Sequence, residues 1–176
     1  KNILNNFDLE IFDVQNTTTH GGSNRYFIKK KINKLYTVKK SVKNEIKKEL
    51  KFGLNKISTY KIFADKVKKS KIKLLNIFQK LKKKKLNIIG YGATAKSCTV
   101  LNYCKIGNKF IDYFYDTTSY KINRYLPGSK ILIKKYKKLK NKNIEVVFLG
   151  AWNFKDEIFK KEKNLKKKGG KFIIHV

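Results

Sequence analysis

Residues 87–104, NIIGYGATAKSCTVLNYC, carry an apolar stretch into Gly90, Tyr91, Gly92, Ala93, Thr94, Ala95 and Lys96, and then into a helix-forming segment. Glycines at 90 and 92 permit a tight turn and a close backbone approach to a ligand. A helix starting directly after them offers unpaired N–H groups, and Lys96 adds a cation. The guest suited to that combination is a phosphate or a diphosphate, held by Gly90, Gly92, Ala93 and Lys96. Neither familiar nucleotide signature is matched. A P-loop needs a glycine before its lysine, and Ala95-Lys96-Ser97 has none. A dinucleotide fingerprint accepts alanine at its third position, which Ala95 supplies, and Asp116 could then take ribose hydroxyls. A second reading stays open, in which the glycines serve only helix–strand packing.

Such a loop needs a sheet behind it. From residue 85 onward, short apolar runs occur at 86–90, 110–115, 131–133, 144–149 and 171–176, with helical segments at about 93–105 and 154–168. Runs this uniformly apolar are buried on both faces, as in a parallel sheet. Right-handed crossovers then give an α/β fold, a small Rossmann-like doubly wound sheet of order 3-2-1-4-5. In that order the first and fourth strands diverge over a crevice, so the glycine loop should face Trp152 and Asn153. Trp152 is either core or a platform for a base or sugar.

Three regions differ in character. Residues 8–15 and 24–29 read as strands joined by a loop that holds His20 and Ser23, a hairpin that is not stable alone. Residues 37–83 read as two helices. Thr37 is the expected cap of the first, over about 38–50, with Gly53 as its stop. The second carries Ile57, Tyr60, Ala64, Val67, Leu74, Phe78 and Leu81 on one apolar stripe. The expected division is therefore 1–30, a closing hairpin; 31–84, a helical connector; and 85–176, the α/β domain.

Composition narrows the function classes. Hydrophobic residues make up 41% and aromatics 13% of 176 residues, which excludes a disordered basic tail. No apolar run approaches the roughly 20 residues needed to cross a bilayer. The net charge of +32 resembles that of a nucleic-acid binder, yet only Arg25 and Arg124 of the 44 basic residues are arginine. Base-edge reading relies on the guanidinium fork, and the lysines are spread over every expected helix, so no specific nucleic-acid partner is expected. Cys98 and Cys104 lie too far apart along one helix to bridge and lack further zinc ligands, so no metal is expected here. A reducing cytoplasm suits free thiols. The chain starts at Lys1 and contains no methionine, which is expected of a trimmed domain or fragment.

Four stretches in order, THGGSNR (19–25), GYGATAKSCTVLNYC (90–104), RYLPG (124–128) and AWNFKDEI (151–158), closely resemble the C-terminal part of the sugar-nucleotide C-methyltransferase family. The resemblance covers almost the whole chain and departs from the family at Ser97 and Cys98, where glycine and asparagine are usual. It implies a three-domain S-adenosylmethionine-dependent enzyme acting on a nucleotide-linked deoxysugar. The zinc cysteines, the adenosylmethionine loop and the Tyr-His-Glu-His catalytic stretch would all precede Lys1. No catalytic residue is then expected in this chain, whose hairpin would close an upstream methyltransferase domain on which the rest packs. His20 is either a polar turn residue or, with Ser23, a substrate contact; His175 reads as structural inside the last strand. The rival readings are a nicotinamide-dinucleotide-binding oxidoreductase module and a basic nucleic-acid-binding protein.

Overall fold

The computed structural model describes residues 2–139, 146–167 and 169–175, apart from the side chains of His20 and Lys166. Ile144 and Glu145, which open the expected fourth run, and Val176 lie outside the described residues. The chain divides into two compact units, residues 1–66 and 67–176.

The first unit begins with a single helical turn, α1 (Asn2–Asn5), and an antiparallel hairpin of β1 (Leu9–Thr17) and β2 (Ser23–Lys30). A bulge between Ile11 and Asp13 sets the register, and Asp13 is buried there. Its carboxylate binds Lys39 Nζ at 2.7 Å and Ser41 Oγ at 2.7 Å, which ties the hairpin to the start of α2 (Lys40–Phe52). This displaces the expected cap. Lys39, not Thr37, occupies the N-cap position, and it makes no side-chain capping bond. Gly53 stops the helix as expected, at φ 84°, where the left-handed backbone favours glycine.

The boundary between the units falls within α3 (Ile57–Lys83). Only the later part of its apolar stripe is buried. Leu74 and Phe78 enter the core of the second unit, while Ile57 and Tyr60 are exposed.

The second unit is the sandwich anticipated from the apolar runs. Parallel strands β3 (Ile88–Tyr91), β4 (Phe114–Asp116), β5 (Ile133–Lys135), β6 (Val146–Leu149) and β7 (Lys171–Ile173) lie in the order β5-β4-β3-β6-β7. That is the expected 3-2-1-4-5. Side chains alternate between two layers. Ile88, Phe114, Val146 and Phe148 meet Phe78 of α3 and Leu101 of α4 (Ala95–Cys104). Ile89, Tyr91, Val147 and Leu149 meet Ile158 of α5 (Lys155–Lys161) and Leu165 of α6 (Lys163–Lys167). Helices on both faces explain why the runs are apolar throughout. β4 is shorter and later than its run, since residues 111–113 form no strand. His175 lies beyond β7 rather than inside it, and burial lowers its pKa. No helix among the described residues is long and apolar enough to cross a membrane.

Candidate functional site

β3 delivers the chain to Gly92 at φ 83°, and α4 begins three residues later. Thr94 caps that helix: its Oγ1 accepts from Ser97 N at 3.1 Å, while Ser97 Oγ accepts from Thr94 N at 2.9 Å. Ser97 thus completes a reciprocal capping box.

The turn is held from three sides. Ala93 N donates to Asp116 Oδ2 at 2.7 Å, at the end of β4. Ala93 O accepts from Lys121 Nζ at 2.9 Å. Thr94 Oγ1 donates to Gly150 O at 3.0 Å, just past β6. Asp116 is 8% exposed, and its Oδ1 accepts from Thr118 N at 2.8 Å. Burial alone would raise its pKa. The hydrogen bonds from Thr118 and Ala93, with the ammonium of Lys121, outweigh burial and hold it below the ordinary value.

These bonds redistribute the donors expected to cradle a phosphate. Gly90 lies within β3, donates to Tyr113 O at 2.8 Å, and is glycine because a Cβ there would collide with the Phe114 ring. Gly92 N donates to Tyr115 O at 2.8 Å, and a Cβ on Gly92 would meet that of Ala151 at 2.5 Å. The close-packing role left open for the glycines is therefore present at both positions. Ala93 N is committed to Asp116. Among the described residues, the N–H groups of Ala95 and Lys96 in the first turn of α4 have no hydrogen-bond partner.

Lys96 and Trp152 come together, with Nζ 5.0 Å from the ring centroid. Trp152 is half-buried in a short 3-10 turn after β6, and Asn153 follows in the same turn. Beside them a cleft of about 350 Å³ opens at the carboxyl ends of β3, β4 and β6. Gly92, Thr94, Asp116 and Ala151 line it, with Tyr91, Tyr115, Tyr136, Lys121 and Lys161. Ser23 belongs to the other unit, where its Oγ donates to Thr19 O at 3.1 Å. The side chain of His20 lies outside the described residues. A larger hollow of about 510 Å³ lies between the hairpin and α2, with aliphatic walls that include Ile11, Val14, Val42 and Ile46 and with Glu10, Glu45, Glu49 and Lys31 among its lining residues.

Sequence reasoning missed a buried carboxylate behind the cleft. Glu162 is 2% exposed and accepts from Tyr136 OH at 2.5 Å, Tyr91 OH at 3.4 Å and Leu139 N at 3.2 Å. Burial, then Glu162 itself, pushes the Tyr136 phenol up to about 12. Tyr91 moves in the same direction, again chiefly through burial. No local pattern announces this cluster. The only cue was position, since Tyr91 and Tyr115 stand at strand ends.

Residues 18–176 match the family model described as the C-methyltransferase C-terminal domain. The chain belongs to that family. Among curated proteins it is similar to the C-methyltransferase NovU of Streptomyces niveus, with 28% identity over 168 residues, covering 96% of this chain and 40% of that protein. The chain thus spans well under half the length of this relative. Membership in a methyltransferase family raises the question of S-adenosylmethionine. The glycine turn does not fit it, because the N–H groups of Gly92 and Ala93 and both oxygens of Asp116 are engaged within the protein. Among the described residues no group of three His, Cys, Asp or Glu side chains could hold a metal ion.

Proposed function

We propose that this C-methyltransferase C-terminal domain binds the substrate of a cytoplasmic, S-adenosylmethionine-dependent enzyme that methylates a carbon of a nucleotide-linked deoxysugar. The cofactor, any zinc and the catalytic groups belong to parts of the protein outside this sequence. The hairpin supports packing on such a part, since it forms a two-stranded sheet with Tyr26 and Ile28 half exposed.

The observation that carries the reading is the meeting of Lys96 and Trp152 at the open first turn of α4, beside the cleft where β3 and β6 diverge. The N–H groups of Ala95 and Lys96, the positive helix end and the Lys96 ammonium suit the diphosphate. Trp152 and Asn153 border the same anion. Gly92 shapes the turn without donating to the ligand, and Asp116 holds the turn in place. With both its oxygens engaged, Asp116 is poorly placed to grip a ribose, which weighs against the nicotinamide reading.

Calorimetry with a thymidine-diphosphate sugar and the full-length protein tests this. Lys96→Ala removes a charge-assisted contact, so affinity should fall about tenfold or more, while binding of the free sugar is unchanged. Equal affinity of parent and variant for the nucleotide-sugar would refute the proposal. Gly92→Val is unsuitable here, because its side chain would strike Ala151 before meeting any ligand.

A further inference from the structure

Both backbone polar groups of Ala93 are tied to the segment that follows β4. Its N–H reaches Asp116 Oδ2 at 2.7 Å, and its carbonyl accepts from Lys121 Nζ at 2.9 Å. Asp116 Oδ1 accepts from Thr118 N at 2.8 Å, and Lys121 N donates to Thr118 O at 3.1 Å. A short 3-10 turn (Ser119–Lys121) thereby brings the lysine back to the carboxylate. Lys121 Nζ stands 3.6 Å from Asp116 Oδ2, with the aspartate side chain 7% and the lysine side chain 29% exposed. The circuit closes on an ion pair removed from most of the solvent. Charge around the cleft is balanced in a chain that is not. Against a net charge of +32, the charged residues lining the cleft are Asp116, Lys121, Glu157 and Lys161, which sum to zero. Glu162 adds a buried carboxylate behind them, and its three donors are uncharged. Without Lys121 the cleft would be negative, and Gly92 and Thr94 of the turn line that same cleft.

We infer that Lys121 is a positioning residue of the anion site: it cancels the charge of Asp116 while holding the Ala93 carbonyl, so that the first turn of α4 can receive a diphosphate. The inference rests on the function proposed above and deepens it by naming the group that makes the site electrostatically open. Asp116 is needed to shape the turn, through Ala93 N and Thr118 N. Its charge nonetheless opposes an anion bound two residues further on, at the N–H of Ala95. A buried carboxylate left without its counter-ion is strongly unfavourable, and its repulsion of a second anion is weakly damped where water is excluded. Lys121 answers both. Its role differs from that of Lys96, which lies over Trp152 and is the cation that the anion itself would meet.

The test titrates inorganic pyrophosphate into the full-length protein by calorimetry. Lys121→Met should weaken binding about tenfold or more, and Lys121→Arg should keep most of the parent's affinity. Asp116→Asn should bind pyrophosphate severalfold more tightly than the parent, a gain that loss of stability does not produce. The double variant Asp116→Asn/Lys121→Met should return close to the parent, because neutralising both partners restores the balance. A double variant as weak as Lys121→Met, or an Asp116→Asn protein no tighter than the parent, overturns the inference and leaves Lys121 as a tie to the Ala93 carbonyl only. So does a Lys121→Met protein that binds as the parent does. Lys96→Ala reports separately. Pyrophosphate affinity that ignores Lys96 refutes the anion site itself, whereas a Lys96-dependent site without coupling between Asp116 and Lys121 refutes this inference alone.

Discussion

Asp116 spends both its oxygens on the polypeptide, on Ala93 N and Thr118 N. Asp116→Asn leaves one acceptor where there were two, so a buried donor loses its partner at a cost of about 1–3 kcal/mol. Because the folded pKa lies below the ordinary value of 3.8, the carboxylate contributes stability that is complete above that pH. The contribution is lost as pH falls through the lower folded value. Thermal melts of the parent should therefore drop below about pH 4, and Asp116→Asn should start lower and show a shallower acid limb. Glu162→Leu strands two phenols and an amide, and urea denaturation should show a loss of at least about 1–3 kcal/mol, with Glu162→Gln milder. Asp116 was legible because a carboxylate at the end of the second strand has a known place beside a glycine turn. The use it is put to was not, since nothing local reveals that Ala93 N already claims it. Tyr136 and Glu162 were invisible for a plainer reason: their contact is made only when the residue after β5 and the residue after α5, far apart in the chain, are brought together.

At the scale of elements, Gly90 and Gly92 are each required by their packing neighbours, Phe114 and Ala151. Gly92→Ala combines left-handed backbone strain, about 1–2 kcal/mol, with a 2.5 Å approach to Ala151. Gly169, at φ 83° with nothing within 4 Å of where a Cβ would stand, carries the strain alone. Gly92→Ala should thus cost more than Gly169→Ala in urea denaturation, and equal losses would mean that Ala151 yields freely. The strand order was readable from unbroken apolar runs, because burial on both sheet faces leaves little choice of side chain, and the two long helices from periodicity; β5 (Ile133–Lys135) nonetheless begins at the last residue of its expected run, 131–133. The start of α2 was misplaced because capping rules look a few residues ahead, whereas Asp13 acts from the hairpin, 26 residues before Lys39. The stripe on α3 predicted a continuous buried face, but periodicity cannot say how far along a helix its neighbours reach.

For the whole molecule, a net charge of +32 carried almost entirely by lysine predicts binding to any polyanion at low salt, falling steeply as salt rises. Filter binding of DNA should lose affinity by orders of magnitude between low and physiological salt and ignore sequence; retained preference for one oligonucleotide would revive the nucleic-acid reading. The sheet order could be read in advance because apolar runs and crossover handedness leave few topologies. The donor pattern at the sheet's mouth could not, and it moves the proposed anion site from the glycines to the first turn of α4. Backbone amide NMR of the full-length protein, titrated with a thymidine-diphosphate sugar, measures that placement directly. The account predicts that the Ala95 and Lys96 amide protons shift most, while Gly90, bonded inside the sheet, stays still. Shifts centred on Gly90 and Gly92, or none anywhere in this turn, would contradict it.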